Sequence, residues 1–248
     1  RSLARRLGLS FLSRSLNKEW QESRPSEEEL RKERLRLLNG LARQEKARAV
    51  ALGHQRDDLA ESFLLMALRG SGPAGLGGPR EVVYLDDGLM LLRPLLDFSR
   101  AQIEEELQRR GESWRIDHTN RDVQYRRNFL RHRVMPLLQE VEPAASQNLA
   151  RSAHLCYQSH RSELRHVENV ADEVVLDRSP LAMLFSVEAL RAESGEGLWA
   201  LFLREECRNF AAGKDREHPP LPSHAVLQEA TRRLAGKDSS QAGFAFGK

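Results

Sequence analysis

The chain has 248 residues, of which 30% are charged and 40% hydrophobic. That balance suits a folded chain large enough for two domains and excludes a disordered polyelectrolyte. Its net charge of +3 is small, so a nucleic-acid contact would have to come from local basic patches rather than from the charge of the whole chain.

No apolar run approaches a membrane span and no signal peptide is visible. The two cysteines, Cys156 and Cys207, have no C-x-x-C spacing, which points to buried thiols in a reducing compartment and a cytoplasmic location. Residues 1–7 read as the end of a helix closed by Gly8. Leu9–Leu16 alternates apolar residues with Ser and Arg and is predicted as a strand. A polar connection, 17–26, leads to a helix opened by Ser26 and running to about Glu45, with Leu30, Leu35, Leu37, Leu38 and Leu41 on its buried face. Its arginines, Arg31–Arg36, read as an exposed helix face.

The apolar run Ala47–Leu52 predicts a buried strand. Gly53 and His54 then turn the chain, and Asp57 and Asp58 stand where a helix should begin. Asp58 and Glu61 have capping-box spacing, and acidic groups suit the positive end of a helix dipole. The helix carries Leu59, Phe63, Met66 and Ala67 on one face and stops at Gly70, the residue type that favours a left-handed C-cap. A strand, a polar turn and an acidic helix start form a usual site position in an open α/β sheet; capping carboxylates on a solvated helix start are the plainer alternative. The glycine-rich stretch 70–78 is a loop whose N–H groups are free to approach an anion, or else a connector. Glu81–Leu85 and Leu89–Leu92 flank Asp86-Asp87-Gly88 as a hairpin, and Ser99 with Gln102 caps a helix that ends before Gly111. Between 113 and 128 there is little periodicity. Arg126, Arg127 and Arg131, with Asn128 between them, can clamp phosphate or carboxylate groups, or pair with Asp117 or Asp122. A helix is expected over about 128–139.

The alternation of helix and strand argues for α/β architecture with a parallel sheet. From Pro143 onward no strand pattern appears. Leu149, Ala153, Cys156, His160, Leu164, Val167, Ala171 and Val174 predict one long amphipathic helix, with His160 on its apolar stripe a packed or boundary residue rather than a ligand. Further helices are expected over 197–210 and 223–236, giving a small all-α domain over 143–248 behind an α/β domain over 1–142.

Five ordered motifs are more specific than any one of them: His54-x-x-Asp57-Asp58-x-x-Glu61-Ser62, Arg69-Gly70-Ser71-Gly72, Arg93-Pro94-Leu95-Leu96, Asp117-x-x-Asn120 and Arg127-Asn128-x-x-Arg131. Together they resemble the tRNA(Ile)-lysidine synthetases of the PP-loop, or N-type ATP pyrophosphatase, group. The resemblance implies a PP-loop catalytic domain over 1–142 and a helical tRNA-binding domain over 143–248. It implies ATP and Mg2+ as cofactors, with L-lysine and a CAU-anticodon tRNA(Ile) as partners, and leaves a homodimer open. The reaction it implies is ATP-dependent adenylation of the wobble cytidine followed by displacement of AMP by lysine. In that frame Asp58 and Glu61 handle lysine, and Arg127 and Arg131 contact adenylate or tRNA phosphate. His54 and Asp57 lie toward the nucleotide or hold the site, and Arg69, Gly70, Ser71, Gly72 and Asn128 belong to the substrate or nucleotide subsite. Departures from the family pattern fall at Gln55, Leu59 and Ile116. No Ser-Gly-Gly-x-Asp-Ser phosphate loop occurs in the sequence, so this chain is expected to be inactive alone and its parent to be the enzyme. The alternatives are an inactive tRNA-binding relative and a tRNA 2-thiolation enzyme, though the latter would need cysteines near the site.

Overall fold

Residues 1–15, 27–85, 88–115, 123–178, 183–186, 201–202 and 204 are described by a computed structural model of the chain. The chain divides into two compact units, Arg1–Tyr157 and Gln158–Lys248; from the sequence the division was expected after Glu142.

Unit 1 opens with helix α1, Ser2–Arg6, and Gly8 follows in the left-handed region at φ +66°. The strand predicted over 9–16 does not form over its described part. Residues 9–15 are irregular and exposed, with Leu9 bonded back to the Ala4 carbonyl. Alternation makes a strand only when a neighbouring edge supplies hydrogen bonds, and none does so here among the described residues. Helix α2, Glu27–Gln44, matches its expected span; Ser26, its expected cap, lies outside the described residues. It ends with Lys46 at φ +53° while the Ala47 N–H reaches the Ala42 carbonyl.

Strand β1, Ala49–Ala51, leads into helix α3, Arg56–Ala67, and then a single-turn helix α4, Pro73–Leu76. Strands β2, Val82–Tyr84, and β3, Met90–Leu92, form the expected hairpin, pairing antiparallel with Tyr84 opposite Met90. β1 pairs parallel to β3, Val50 opposite Leu91, so the sheet order is β1-β3-β2. The sheet is therefore mixed, not purely parallel: only the crossover through α3 delivers a parallel neighbour, while a short loop can only return antiparallel. Leu91 at its centre is buried with Leu89, Leu96 and Ala60.

Helix α5, Arg100–Arg109, carries the Ser99/Gln102 capping box and is followed by Gly111 at φ +67°, as expected. The segment predicted as one helix from 128 is instead composite. Helix α6, Arg126–Phe129, passes into a π turn, Leu130–Val134, and then helix α7, Met135–Val141. Pro136 explains the wider turn: it has no N–H for the His132 carbonyl and its ring crowds that position in an α-helix. The Met135 N–H accordingly bonds the Leu130 carbonyl five residues back.

Helix α8, Ala145–Val174, is the predicted long amphipathic helix. Within unit 1 its buried apolar residues are Ala145, Ala150 and Ala153; within unit 2 they are Val167, Val170, Ala171 and Val174. His160 is partly buried with Nδ1 3.9 Å from Glu163, a boundary position as expected. The all-helical expectation for 143–248 is corrected in unit 2, where β4, Val175–Arg178, pairs antiparallel with β5, Met183–Phe185. Val174-Val175-Leu176 favours extended pairing, but the partner strand is invisible to helical periodicity. Leu201, Phe202 and Arg204 are helical, inside the helix expected over 197–210. The remainder of that helix and the one expected over 223–236 lie outside the described residues.

Candidate functional site

β1 and β3 run parallel, so the residues leaving them emerge at one edge of the sheet. His54 follows β1, Arg93 follows β3, and an isolated bridge between Gln55 and Leu95 extends the pairing. This carboxyl-terminal edge is where open α/β sheets place ligands.

The start of α3 differs from expectation in its cap. Gln55, a departure from the family pattern, is the N-cap: its Oε1 accepts from the Asp57 N–H at 2.7 Å. Asp58 is the reciprocal acid, its Oδ2 accepting from the Gln55 N–H at 3.0 Å. Asp58 therefore closes the box instead of opening it, and Glu61 is released for another role.

Glu61 is 2% exposed, a position a carboxylate tolerates only when paired. Arg131 grips it with Nε at 2.6 Å and Nη2 at 2.8 Å, and Arg127 adds its Nε at 2.9 Å. Arg131 Nη2 also reaches Asp58 Oδ1 at 3.2 Å, while Arg127 Nη2 binds the Asp58 carbonyl at 3.0 Å. Burial would lower the Arg131 pKa, but bonds and charge from Glu61, with the fields of Asp58 and Asp57, outweigh it and raise it. The arginines thus pair with the acids of α3; Asp117, Asp122 and the Asp117-x-x-Asn120 motif lie outside the described residues.

Asp57 stitches elements together: its Oδ2 accepts from the Arg100 N–H at 2.8 Å and its Oδ1 from Ser146 Oγ at 2.5 Å. Ser146 had no sequence signal. His54 accepts from Arg93 Nε at 3.2 Å through its Nδ1. Burial holds its pKa below the usual imidazole value; Arg93, Arg127 and Arg31 add to that, and Asp58 opposes it.

A cavity of about 480 Å³ opens at this corner, lined by His54, Asp58, Asn128 and six arginines: Arg31, Arg34, Arg93, Arg100, Arg127 and Arg131. Arg31 and Arg34 are exposed, as expected of a basic helix face, and they also border this cavity. They lie with Leu35 and Leu38 on the cavity side of α2, whereas Arg36 turns away to pair with Glu33. The i, i+3, i+4, i+7 spacing of residues 31, 34, 35 and 38 is the signal that could have found them.

Arg69, Gly70, Ser71 and Gly72 are placed elsewhere. They follow the far end of α3, whose last residue, Ala67, lies about 14 Å along the axis from Asp58 at the usual rise per residue. Gly70 takes the left-handed cap at φ +70°, and the N–H groups of Gly70 and Ser71 bond the Ala67 and Met66 carbonyls. The N–H groups of Gly75, Leu76, Gly77 and Gly78 are likewise taken by carbonyls of the same segment, so these four do not form the open anion cradle read from the glycines. A Cβ at Gly77 would meet Arg80 Nη1 at 2.8 Å and Tyr157 Cβ at 3.1 Å, so close packing accounts for that glycine.

Six guanidinium groups beside one cavity-lining carboxylate suit a polyanion such as a nucleoside triphosphate or an RNA strand. A divalent cation fits less well. The carboxylates of Asp57, Asp58 and Glu61 already accept from protein donors, and no cluster of His, Cys, Asp or Glu among the described residues has the form of a metal site. A magnesium ion would therefore be held chiefly by substrate phosphates. Cys156 is a free thiol. No helix among the described residues is long and apolar enough to cross a membrane.

The PP-loop domain family matches residues 1–138. Over 155 residues the chain is 39% identical to a tRNA(Ile)-lysidine synthase of Francisella tularensis subsp. novicida, covering 62% of this chain and 38% of that protein. It is 44% identical over 124 residues to one from Vibrio campbellii (50% of this chain, 26% of that protein). It is 46% identical over 121 residues to one from Xanthomonas campestris pv. campestris (49% and 27%). The matched part thus spans well under half the length of these curated relatives.

Proposed function

Because the chain belongs to the PP-loop domain family, we propose that it is part of an ATP-dependent ligase that attaches L-lysine to C2 of the wobble cytidine, position 34, of a CAU-anticodon tRNA(Ile). The observation that carries this reading is the corner built by His54, Asp57, Asp58 and Glu61 with Arg127 and Arg131, on a chain whose similar proteins are named tRNA(Ile)-lysidine synthases.

The C2 oxygen of cytosine is a poor leaving group. ATP supplies the remedy: the C2 oxygen takes the adenylyl group, pyrophosphate departs, and AMP becomes the group that leaves when the lysine ε-nitrogen attacks C2. Arg127 and Arg131, with Arg31, Arg34 and Arg100 beside them, hold the phosphates and offset charge on the leaving AMP. Of the two candidate lysine acids, Asp58 lines the cavity and Glu61 does not. Asp58 therefore receives the lysine amine, holding it or taking its proton once C–N bond formation makes the nitrogen acidic. Glu61 fixes the two arginines in the geometry that phosphate requires. Asp57 holds the starts of α5 and α8 against α3.

The test uses the intact protein with ATP, labelled lysine and an isoleucine-tRNA transcript. Lysine enters the tRNA at position 34, and Asp58→Asn lowers incorporation by about a hundredfold or more while tRNA affinity stays near wild type. ATP-independent tRNA binding with no incorporation by the intact protein would overturn the ligase in favour of an inactive tRNA-binding relative.

A further inference from the structure

Arg93 follows β3 directly and is 7% exposed. A buried cation usually lies against a carboxylate, but the bonds recorded for Arg93 go to neutral acceptors. Its Nη1–H meets the Arg80 carbonyl at 2.6 Å and its Nε–H meets His54 Nδ1 at 3.2 Å. The first bond fixes the guanidinium against the segment entering β2. The second acts on the imidazole, because a ring nitrogen that accepts an N–H bond carries no proton itself. Neutral His54 must then keep its proton on Nε2.

The register of the sheet makes this contact possible: Ala51 lies opposite Leu92, so the chain segments leaving both strands stay side by side, and His54 and Arg93 line the same arginine-rich cavity. We propose that Arg93 is a positioning residue that locks His54 as the Nε2–H tautomer, so that this one N–H donates to an anionic oxygen of the bound substrate. A cavity walled by guanidinium groups would disfavour a protonated imidazole but accepts a neutral donor. The groups facing His54 agree, since Arg31 on α2, Arg127 on α6 and Arg93 itself oppose a positive ring more than Asp58 on α3 supports one. The substrate end of the proposal rests on the nucleotide-and-tRNA function; the tautomer lock does not.

The experiment reads the two ends separately. In the chain labelled with 15N-histidine, two-bond proton–nitrogen spectra separate protonated from unprotonated ring nitrogens, and loss of a signal in His54→Gln assigns His54 among the eight histidines. At pH 7.5 the wild-type ring shows a protonated Nε2 and a bare Nδ1 as a single tautomer. Arg93→Met gives a tautomer mixture and a higher titration midpoint. Arg93→Lys keeps the cation but not the planar fork, so it loses tautomer purity with a smaller change in midpoint; it also stands in if the methionine variant does not fold. With the intact protein, His54→Phe and Arg93→Met each weaken ATP or tRNA(Ile) binding by about tenfold, the worth of one hydrogen bond to a charged group, and the double variant is no weaker than either. A protonated Nδ1 in the wild type, or unchanged tautomers in both Arg93 variants, would refute the lock. Unchanged or strictly additive affinities would refute its aim at substrate. A wild-type protein that binds neither ATP nor tRNA, yet shows the expected tautomers, would count against the ligase function and not against the lock.

Discussion

Replacing Glu61 with glutamine tests the arginine clamp. The change keeps the shape of the side chain, removes its charge, and turns one acceptor oxygen into an N–H donor that faces a guanidinium. Glu61 accepts from Arg131 at 2.6 and 2.8 Å and from Arg127 at 2.9 Å. Losing one charge-assisted bond costs about 1.5–3 kcal/mol. Leaving two guanidinium groups on Asp58 alone brings the total toward the roughly 3–5 kcal/mol typical of breaking a buried pair from one side. The arginine side chains are 23% and 17% exposed, so water offsets part of this, and about 3 kcal/mol is expected. Urea denaturation followed by circular dichroism measures it as a lower midpoint with unchanged slope. Adding Arg131→Gln to Glu61→Gln should cost less than the two single losses together, by about 1–2 kcal/mol. A loss under about 0.5 kcal/mol for Glu61→Gln, or strict additivity, would show that the acid does not organise the arginines.

The pKa of His54 is depressed on folding, so the unfolded chain binds a proton more readily. Its stability contribution is complete above the ordinary imidazole value near 6.5. It is lost as pH falls through the lower folded value, so the urea midpoint drops between pH 7.5 and 5.5 and drops less in His54→Gln. Gly70, at φ +70° with open space around its Cα, should lose about 1 kcal/mol on change to alanine from backbone strain alone. Lys46 is the mirror case at φ +53°, and Lys46→Gly should raise the urea midpoint by the equivalent of about 0.5–1 kcal/mol.

The acid-rich corner and the arginines belong to different parts of the chain, and their union explains why neither is redundant. A helix start carrying Asp57, Asp58 and Glu61 would repel itself; two arginines from the turns around residue 130 neutralise it. The π turn lets the chain pass Pro136, and Arg127 and Arg131, four residues apart on one face, both reach Glu61. Among the described residues, what no acid offsets in the cavity includes the positive charge of Arg31, Arg34 and Arg100. That excess is what a phosphate-bearing substrate would meet.

The sequence by itself determined the local elements and the motif. Hydrophobic periodicity set α2, α3 and α8, the Ser99/Gln102 pair set the start of α5, and the Asp-Asp-Gly turn set the β2–β3 hairpin, because each rests on contacts within a few residues. The ordered motif from His54 to Arg131 indicated the family, since residue types and spacing survive without coordinates. Only the tertiary structure decided which charges meet. Glu61 and Arg131 are 70 positions apart, Asp57 and Ser146 are 89, and nothing in local spacing ranks one distant arginine above another. The same holds for strands. Leu9–Leu16 has the alternation of one but lacks a partner over its described part, whereas β4 has a partner that its helical surroundings concealed. A strand exists by virtue of the edge beside it, and a buried carboxylate by virtue of the cation that reaches it; both are facts of the folded chain.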